Sequence, residues 1–556
     1  MDYRKEYDRW LAETKDEELL AELKGMDEKA MEDAFYRDLA FGTGGLRGII
    51  GAGTNRMNVL TVQRASQGLA DYLLNKYEKP GVVIGYDSRL KSDVFARAAG
   101  SVFAANGIKV YAWKDLLPVP TVSYAVRSLG ASAGVMITAS HNPAQYNGYK
   151  VYGPDGCQIT TEAAEAVFRQ IEQVDLFSGI KSLPWESALK DGSMEYIPDQ
   201  VLTDYLEEIK RQSVLFGDRI DKNLAIVYTP LNGTGLVPVT RVLDESGFTN
   251  ITVVEAQRLP DGRFPTCPYP NPEIREAMEL GLQYCEKTGA DLLLATDPDC
   301  DRCGIAVRTE SGGYKLLTGN EVGLLLLDYI CSQRLKHRMM PDHPVFVKTV
   351  VTVDLAEKIA RHYGLETVNV LTGFKFIGEV IGKLEEQGRA DAYILGFEES
   401  YGYLTGPYVR DKDGVDAAFM ICEMFAFYKT RGVSLLDRLN GLYKTYGYCR
   451  NTLHSFAFPG SSGMQKMQGI MKDFRNGLDI VAGQRVVRTE DYSLGLNGLP
   501  KADVMKFYTE SGSIVVRPSG TEPKLKVYIS VTAANEQEAG DCERRIMADL
   551  EERLAR

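Results

Sequence analysis

Three times along this chain a short aliphatic run ends abruptly on a polar loop. Gly134-Val-Met-Ile137 gives way to Thr138-Ala-Ser-His-Asn-Pro143, Asp291-Leu-Leu-Leu-Ala295 to Thr296-Asp-Pro-Asp-Cys-Asp-Arg302, and Ala392-Tyr-Ile-Leu395 to Gly396-Phe-Glu-Glu-Ser400. Such runs read as buried strands and their polar ends as loops. Further Val/Ile-rich runs at 82–84, 108–111, 224–228, 345–347 and 368–370 alternate with helix-patterned stretches. That alternation signals layered α/β structure. A chain of 556 residues is too long for one core. The restarts predict three similar α/β domains with mixed sheets, 1–205 (opening on helices up to about residue 40), 206–325 and 326–450. The last unit, 451–556, reads as a smaller α+β domain built on Ser513-Ile-Val-Val516 and Leu525-Lys-Val-Tyr-Ile529. Open α/β sheets place ligands at the carboxyl ends of their strands, so the polar loops are expected to line one central cleft.

Charge narrows the ligand classes. A net charge of −12 argues against a nucleic-acid or anionic-membrane surface. Anions must then be held in local basic pockets. The apolar run Val322-Gly-Leu-Leu-Leu-Leu327 is too short to span a bilayer, and the charged start MDYRKEYDRW lacks a secretory pattern. Nine scattered cysteines without disulfide-like spacing suit a reducing, cytoplasmic setting.

Asp297, Asp299 and Asp301 carry the most information. Three carboxylates on alternate residues of one loop repel each other unless a cation sits among them. A calcium loop is rejected, because its glycine and glutamate positions are Arg302 and Arg308. Mg²⁺ shared with a phosphate fits, with a solvated acidic turn as the alternative. Arg517-Pro-Ser-Gly-Thr-Glu-Pro-Lys524 reads either as a phosphate cradle, offering Arg517, Ser519, Gly520 and Thr521, or as a simple turn. Phe41-Gly-Thr-Gly-Gly-Leu-Arg-Gly48 fails the dinucleotide template at Arg47 and reads as a glycine loop with a guanidinium clamp. The carboxylates and hydroxyl of the Glu398–Ser400 loop suit sugar hydroxyls, while Lys375, Arg410 and Lys412 add cations nearby in the chain. The pair Cys300/Cys303 has no second half for a zinc site and reads as coincidence. Ser140 lacks the nucleophile elbow of a serine hydrolase, and adjacent His141 is poorly placed as its base. A phosphoserine beside a metal is more consistent with the acidic loop and the basic cradles.

Taken together, Thr138–Lys150 (TASHNPAQYNGYK), DPDCDR, GFEES and RPSGTEPK resemble the α-D-phosphohexomutase family, in the family's order and across the whole chain. FGTGGLRG, GYDSR and the paired glutamates lean towards its phosphoglucomutase and phosphopentomutase branch. Tyr401 follows Ser400 where the phosphomannomutase-type relatives carry a histidine. The resemblance implies four domains around a cleft, Ser140 phosphorylated, and Mg²⁺ held by Ser140, Asp297, Asp299 and Asp301. It implies that Arg47, His141, Lys150, Arg302 and Lys375 serve the phosphoryl transfer, Lys150 being the candidate base. Thr372, Gly373, Glu398, Ser400, Arg410 and Lys412 would meet the sugar or its phosphate. Arg517, Ser519, Gly520, Thr521 and Lys526 would hold the idle phosphate. The implied reaction interconverts hexose 1- and 6-phosphates, glucose first, through a glucose 1,6-bisphosphate that also acts as activator, in a monomer or weak dimer. Mannose or pentose phosphates, or a catalytically silent phosphosugar binder, are the alternatives.

Overall fold

The computed structural model describes residues 2–42, 44–458, 460–519 and 524–555. Three short helices open the chain, Tyr3–Glu13, Glu17–Lys24 and Glu28–Phe35. Each begins where an aspartate, Asp2, Asp16 or Asp27, accepts amide protons of the first turn. They bury Trp10, Leu23 and Phe35 against Leu176 of the first domain.

Four sheets follow. The first is six-stranded, in the order Gly45–Ile49, Tyr146–Tyr152, Ala133–Ile137, Gly81–Tyr86, Lys109–Ala112, Met194–Tyr196. The second runs Tyr314–Leu317, Cys303–Arg308, Leu292–Thr296, Ile226–Thr229, Ile251–Val253, and the third Glu366–Val370, Val345–Thr349, Tyr393–Glu398, Gly402–Leu404. Each has parallel strands at its centre and an antiparallel return on one side. The fourth sheet is antiparallel throughout, from Tyr448–Ala457 to Ile480–Val481. Three α/β units with mixed sheets and a distinct last unit are therefore what the chain forms.

The antiparallel returns make three equivalent hairpins: Ala133–Ile137 into Tyr146–Tyr152, Leu292–Thr296 into Cys303–Arg308, and Tyr393–Glu398 into Gly402–Leu404. Each turn carries one predicted loop and one non-glycine residue with left-handed backbone: Ser140 at φ 53°, Cys300 at 51° and Tyr401 at 65°. A branched or bulky residue adopts that region at a cost, so these turns hold a shape that their surroundings impose. The glycine cluster is not wholly a loop. Gly45–Ile49 is a strand paired with Tyr146–Lys150, and a Cβ at Gly45 would sit 1.8 Å from the Tyr149 carbonyl oxygen.

The apolar run 322–327 lies in the helix Gly319–Lys336, and this helix and Gly414–Lys429 are buried on nearly all faces. Their polar side chains are buried with them and bonded internally, Asp328 to Tyr363, Asp416 to Thr405 and Glu423 to the Val214 amide. No helix among the described residues is long and apolar enough to cross a membrane.

Candidate active site

The three hairpin turns and the fourth sheet meet at a cleft of about 990 Å³. Arg47, His141 and Lys150 line it from the first domain, Glu273 and Arg302 from the second, Thr372, Glu399 and Ser400 from the third, and Arg517, Ser519 and Lys526 from the fourth. Backbone hydrogen bonds tie the turns together. The Val119 amide donates to Asp299 O at 2.9 Å, Cys303 to Tyr401 O at 3.1 Å, and Gly414 to Cys300 O at 3.0 Å.

Ser140, 4% exposed, is buried beside cleft-lining His141. Its amide donates to Thr138 Oγ1 at 2.8 Å and its hydroxyl to Asp297 Oδ2 at 2.9 Å, with His141 Nδ1 at 3.2 Å. Burial, then the charges of Arg302 and Arg47, pushes the His141 pKa well below the usual histidine value, so the ring is neutral. Arg89 fixes the turn from below. This buried guanidinium donates to the carbonyls of Ser140, Asn142, Pro143 and Tyr146 and lies 5.1 Å from the Phe264 ring centroid. Asp87 accepts the Arg89 amide at 2.9 Å and the Ser92 hydroxyl at 2.8 Å.

The three aspartates converge, with ligand atoms within 4.8 Å of one another. Asp297 Oδ1 accepts the amides of Asp301 and Arg302. Asp299 Oδ2 accepts Thr138 Oγ1 at 3.1 Å and Lys150 Nζ at 2.9 Å, while Asp301 Oδ2 faces Lys150 at 3.3 Å and Lys412 at 3.1 Å. The opposite oxygens, Asp299 Oδ1 and Asp301 Oδ1, are buried and have no hydrogen-bond partner. Each carboxylate is thus anchored through some contacts while two buried oxygens accept no hydrogen bond, Asp301 Oδ1 having only Arg302 Nε at 3.8 Å, which fits a hard divalent cation. Burial and its two acidic neighbours raise the Asp297 pKa well above the carboxylate range, the electrostatic demand that a cation relieves. Burial alone would lower the Lys150 pKa, but Asp299 and Asp301 more than reverse this and leave it raised. Those two contacts hold the Lys150 ammonium against the triad.

Other predicted residues stand in different places. Glu398 is buried behind the wall, accepting the Gly373 amide at 2.9 Å, and its neighbour Glu399 faces the cleft. Burial and the Glu398 charge push Glu399 up to about 7. Thr372 lines the wall with a buried, unpartnered hydroxyl. Lys412 lies behind the metal loop, between Asp301 and Asp411. Arg410 is turned to Glu385 at 2.7 Å and to the carbonyls of Pro407 and Val409, away from the residues lining the cleft. Lys375 opens the helix Phe374–Glu386, 7% exposed, its Nζ 5.2 Å from the Phe376 ring centroid. In the fourth domain Arg517 pairs in register with Lys526 across a hairpin, and the Ser519 amide donates to Lys524 O at 2.7 Å. Gly520 and Thr521 lie outside the described residues. Glu273, absent from the sequence-based set, accepts Arg302 at 2.6 Å. Arg89 had a signal, the GYDSR loop after a buried strand; Glu273 had none of comparable strength.

Three mixed sheets, each sending a hairpin turn towards one cleft that an antiparallel fourth sheet helps to line, with an acidic triad beside a buried serine, match a known architecture. The chain belongs to the phosphoglucomutase/phosphomannomutase family: its alpha/beta/alpha domains I, II and III match residues 38–177, 203–312 and 318–446, and its C-terminal domain matches 458–548. It is an isomerase of the phosphohexomutase class. It is 36% identical over 558 residues to a phosphoglucomutase of Staphylococcus haemolyticus, covering 98% of this chain and 100% of that one. A Staphylococcus aureus phosphoglucomutase is 37% identical over 520 residues, 90% of this chain and 91% of that one. Among solved structures, Paramecium parafusin, a phosphoglucomutase in an open form, matches with TM-score 0.69 at 16% identity over 94% of this chain and 95% of that one. A phosphoglucomutase/phosphomannomutase family protein of Burkholderia thailandensis gives 0.65 at 20% identity over 92% and 97%. At such identities these two report on fold alone.

Proposed function

We propose that this enzyme interconverts α-D-glucose 1-phosphate and glucose 6-phosphate by passing a phosphoryl group through Ser140, with glucose 1,6-bisphosphate as intermediate and activator. The carrying observation is Ser140 Oγ at 2.9 Å from Asp297, over a triad with two buried unpartnered oxygens. Mg²⁺ held by Asp297, Asp299, Asp301 and the serine would neutralise charge on the transferring phosphoryl oxygens. The chain supplies the rest. Arg47, Lys150 and Arg302 present cations on the reacting side, since phosphoryl transfer is mostly positioning and charge stabilisation. Lys150 passes the proton: it donates to the oxygen released and takes the proton of the attacking hydroxyl, so it ends each transfer as it began. Thr372, Glu399 and Ser400 meet the sugar hydroxyls, and Arg517, Ser519 and Lys526 hold the phosphate that is not reacting. A sugar that must be gripped in two opposite orientations needs such a remote anchor.

The test assays glucose, mannose and ribose 1-phosphates with Mg²⁺ and glucose 1,6-bisphosphate, for the parent chain and Ser140→Ala. The expected result is fastest turnover of the glucose ester and none by Ser140→Ala. Faster turnover of the mannose or ribose ester would overturn the sugar assignment, and an active Ser140→Ala variant would overturn the carrier.

A further inference from the structure

Behind the metal loop runs a circuit of charged side chains drawn from three domains, and its outermost members take no part in the chemistry above. Tyr152, fully buried at the end of the strand Tyr146–Tyr152, donates its phenol proton to Asp411 Oδ2 at 2.7 Å. Asp411 Oδ1 accepts the Lys412 amide at 2.8 Å and its Nζ at 3.2 Å. Lys412 Nζ also lies 3.1 Å from Asp301 Oδ2, the oxygen that Lys150 approaches at 3.3 Å. The Lys412 stem is confined. A Cβ at Gly402 would stand 2.1 Å from its Cδ, and the Phe374 ring centroid is 5.7 Å from its Nζ. The ammonium sits between the two carboxylates and divides its charge between Asp411 and Asp301.

That division matters to a cation. Two lysines already face the three aspartates of the loop and Arg302 Nε lies 3.8 Å from Asp301 Oδ1, and every positive charge committed to Asp301 weakens the pull of that oxygen on a divalent ion. Charges a few ångströms apart in a buried site are little screened by solvent. Asp411 is the fourth carboxylate of the circuit, and the Tyr152 hydroxyl keeps it where it can hold part of the Lys412 charge. We propose that Asp411, fixed by Tyr152, is a positioning residue that draws Lys412 partly off Asp301 and so sets how strongly the Asp297–Asp299–Asp301 triad holds its divalent cation. The inference rests on reading that triad as the metal site and goes beyond it in assigning a residue from another domain to tune it.

The experiment titrates Mn²⁺ into the full chain and counts free Mn²⁺ by electron paramagnetic resonance, a readout independent of turnover. Asp411→Asn is expected to weaken binding about tenfold, the lower end for partners of metal ligands. Lys412→Met is expected to tighten it, and the double variant to return towards the parent. Tyr363→Phe, which removes a phenol donating to Asp328 at 2.8 Å and does not line the cleft, serves as the control and is expected to bind as the parent does. Thermal unfolding of every variant accompanies the titration. Should Asp411→Asn fail to fold, the sign of the Lys412→Met effect decides alone. A merely structural brace would weaken binding in both single variants, and that outcome, or parental binding by Asp411→Asn, overturns the inference while leaving the metal site intact. A parent chain that binds no Mn²⁺ overturns the inference and the metal site together.

Discussion

At the scale of single residues, the site is made of groups that gain their roles from partners far away in the chain. Ser140 meets Asp297 across 157 positions, and Lys150 meets Asp299 across 149. Lys150→Ala removes both the proton carrier and a counter-charge to two aspartates, so kcat is expected to fall by at least about 100-fold in the phosphomutase assay. Turnover at the parental rate would remove Lys150 from the mechanism. Arg89 does not itself line the cleft, yet it gathers four carbonyls of the Ser140 turn. Arg89→Met strips the guanidinium from those carbonyls, of which Pro143 O keeps the Tyr146 amide, at about 1–3 kcal/mol for each one left buried without a partner. The expected result is a lower unfolding midpoint together with a fall in kcat of about 100-fold from misplacement of the serine, measured by urea unfolding and steady-state rates.

At the scale of elements, the same hairpin is used three times, once each for serine, aspartates and cleft-facing glutamate. Its turn has one left-handed residue in every copy, which reverses the chain between the two paired strands. The copies are held against one another by backbone, not by side chains alone. The helix Gly414–Lys429 begins on the metal loop: its first amide bonds to Cys300 O, and a Cβ at Gly414 would stand 2.6 Å from that oxygen. Gly414→Ala therefore forces the helix and the metal loop apart. Weaker Mn²⁺ binding and a stability loss of about 1–3 kcal/mol are expected, the range for overpacking a tight contact. Unchanged Mn²⁺ affinity would show that the loop keeps its shape without the helix.

At the scale of the whole molecule, buried polar bonds between domains set how stability responds to pH. Asp413 accepts the phenols of Tyr205, from the helix Asp199–Arg211, and Tyr408, and neighbouring Asp416 accepts the Thr405 amide and hydroxyl. Burial and then the charge of Asp413 push Asp416 up to about 8, against about 3.9 for an aspartate in the unfolded chain. Between those values the folded protein keeps a proton that the unfolded chain has lost. Stability is accordingly expected to fall as pH rises through that window and to level off above it. Asp416→Asn, which keeps the bonds to Thr405 without the charge, is expected to flatten that slope and to gain most over the parent near pH 8. Urea unfolding of both proteins at pH 5 and pH 8 checks this, and parallel curves would refute it.

The chemistry of each loop was written locally. Alternating aspartates, a serine after a buried strand and an arginine–serine–glycine turn declare their affinities within a few residues, because repulsion, hydroxyl reactivity and backbone freedom are properties of short segments. Strand and helix patterning likewise determined the order of three α/β units and a different fourth, since burial of alternate or periodic apolar faces is also local. Only the tertiary structure decided which of two adjacent glutamates faces the cleft, that Arg410 turns to Glu385, that Lys412 stands behind Asp301, and that Arg89 and Glu273 support the reacting groups. Each of those outcomes depends on a partner in another domain or on the direction in which a buried side chain leaves its strand. A linear sequence contains the partners but not their distance, and for charged groups it is distance and burial that decide.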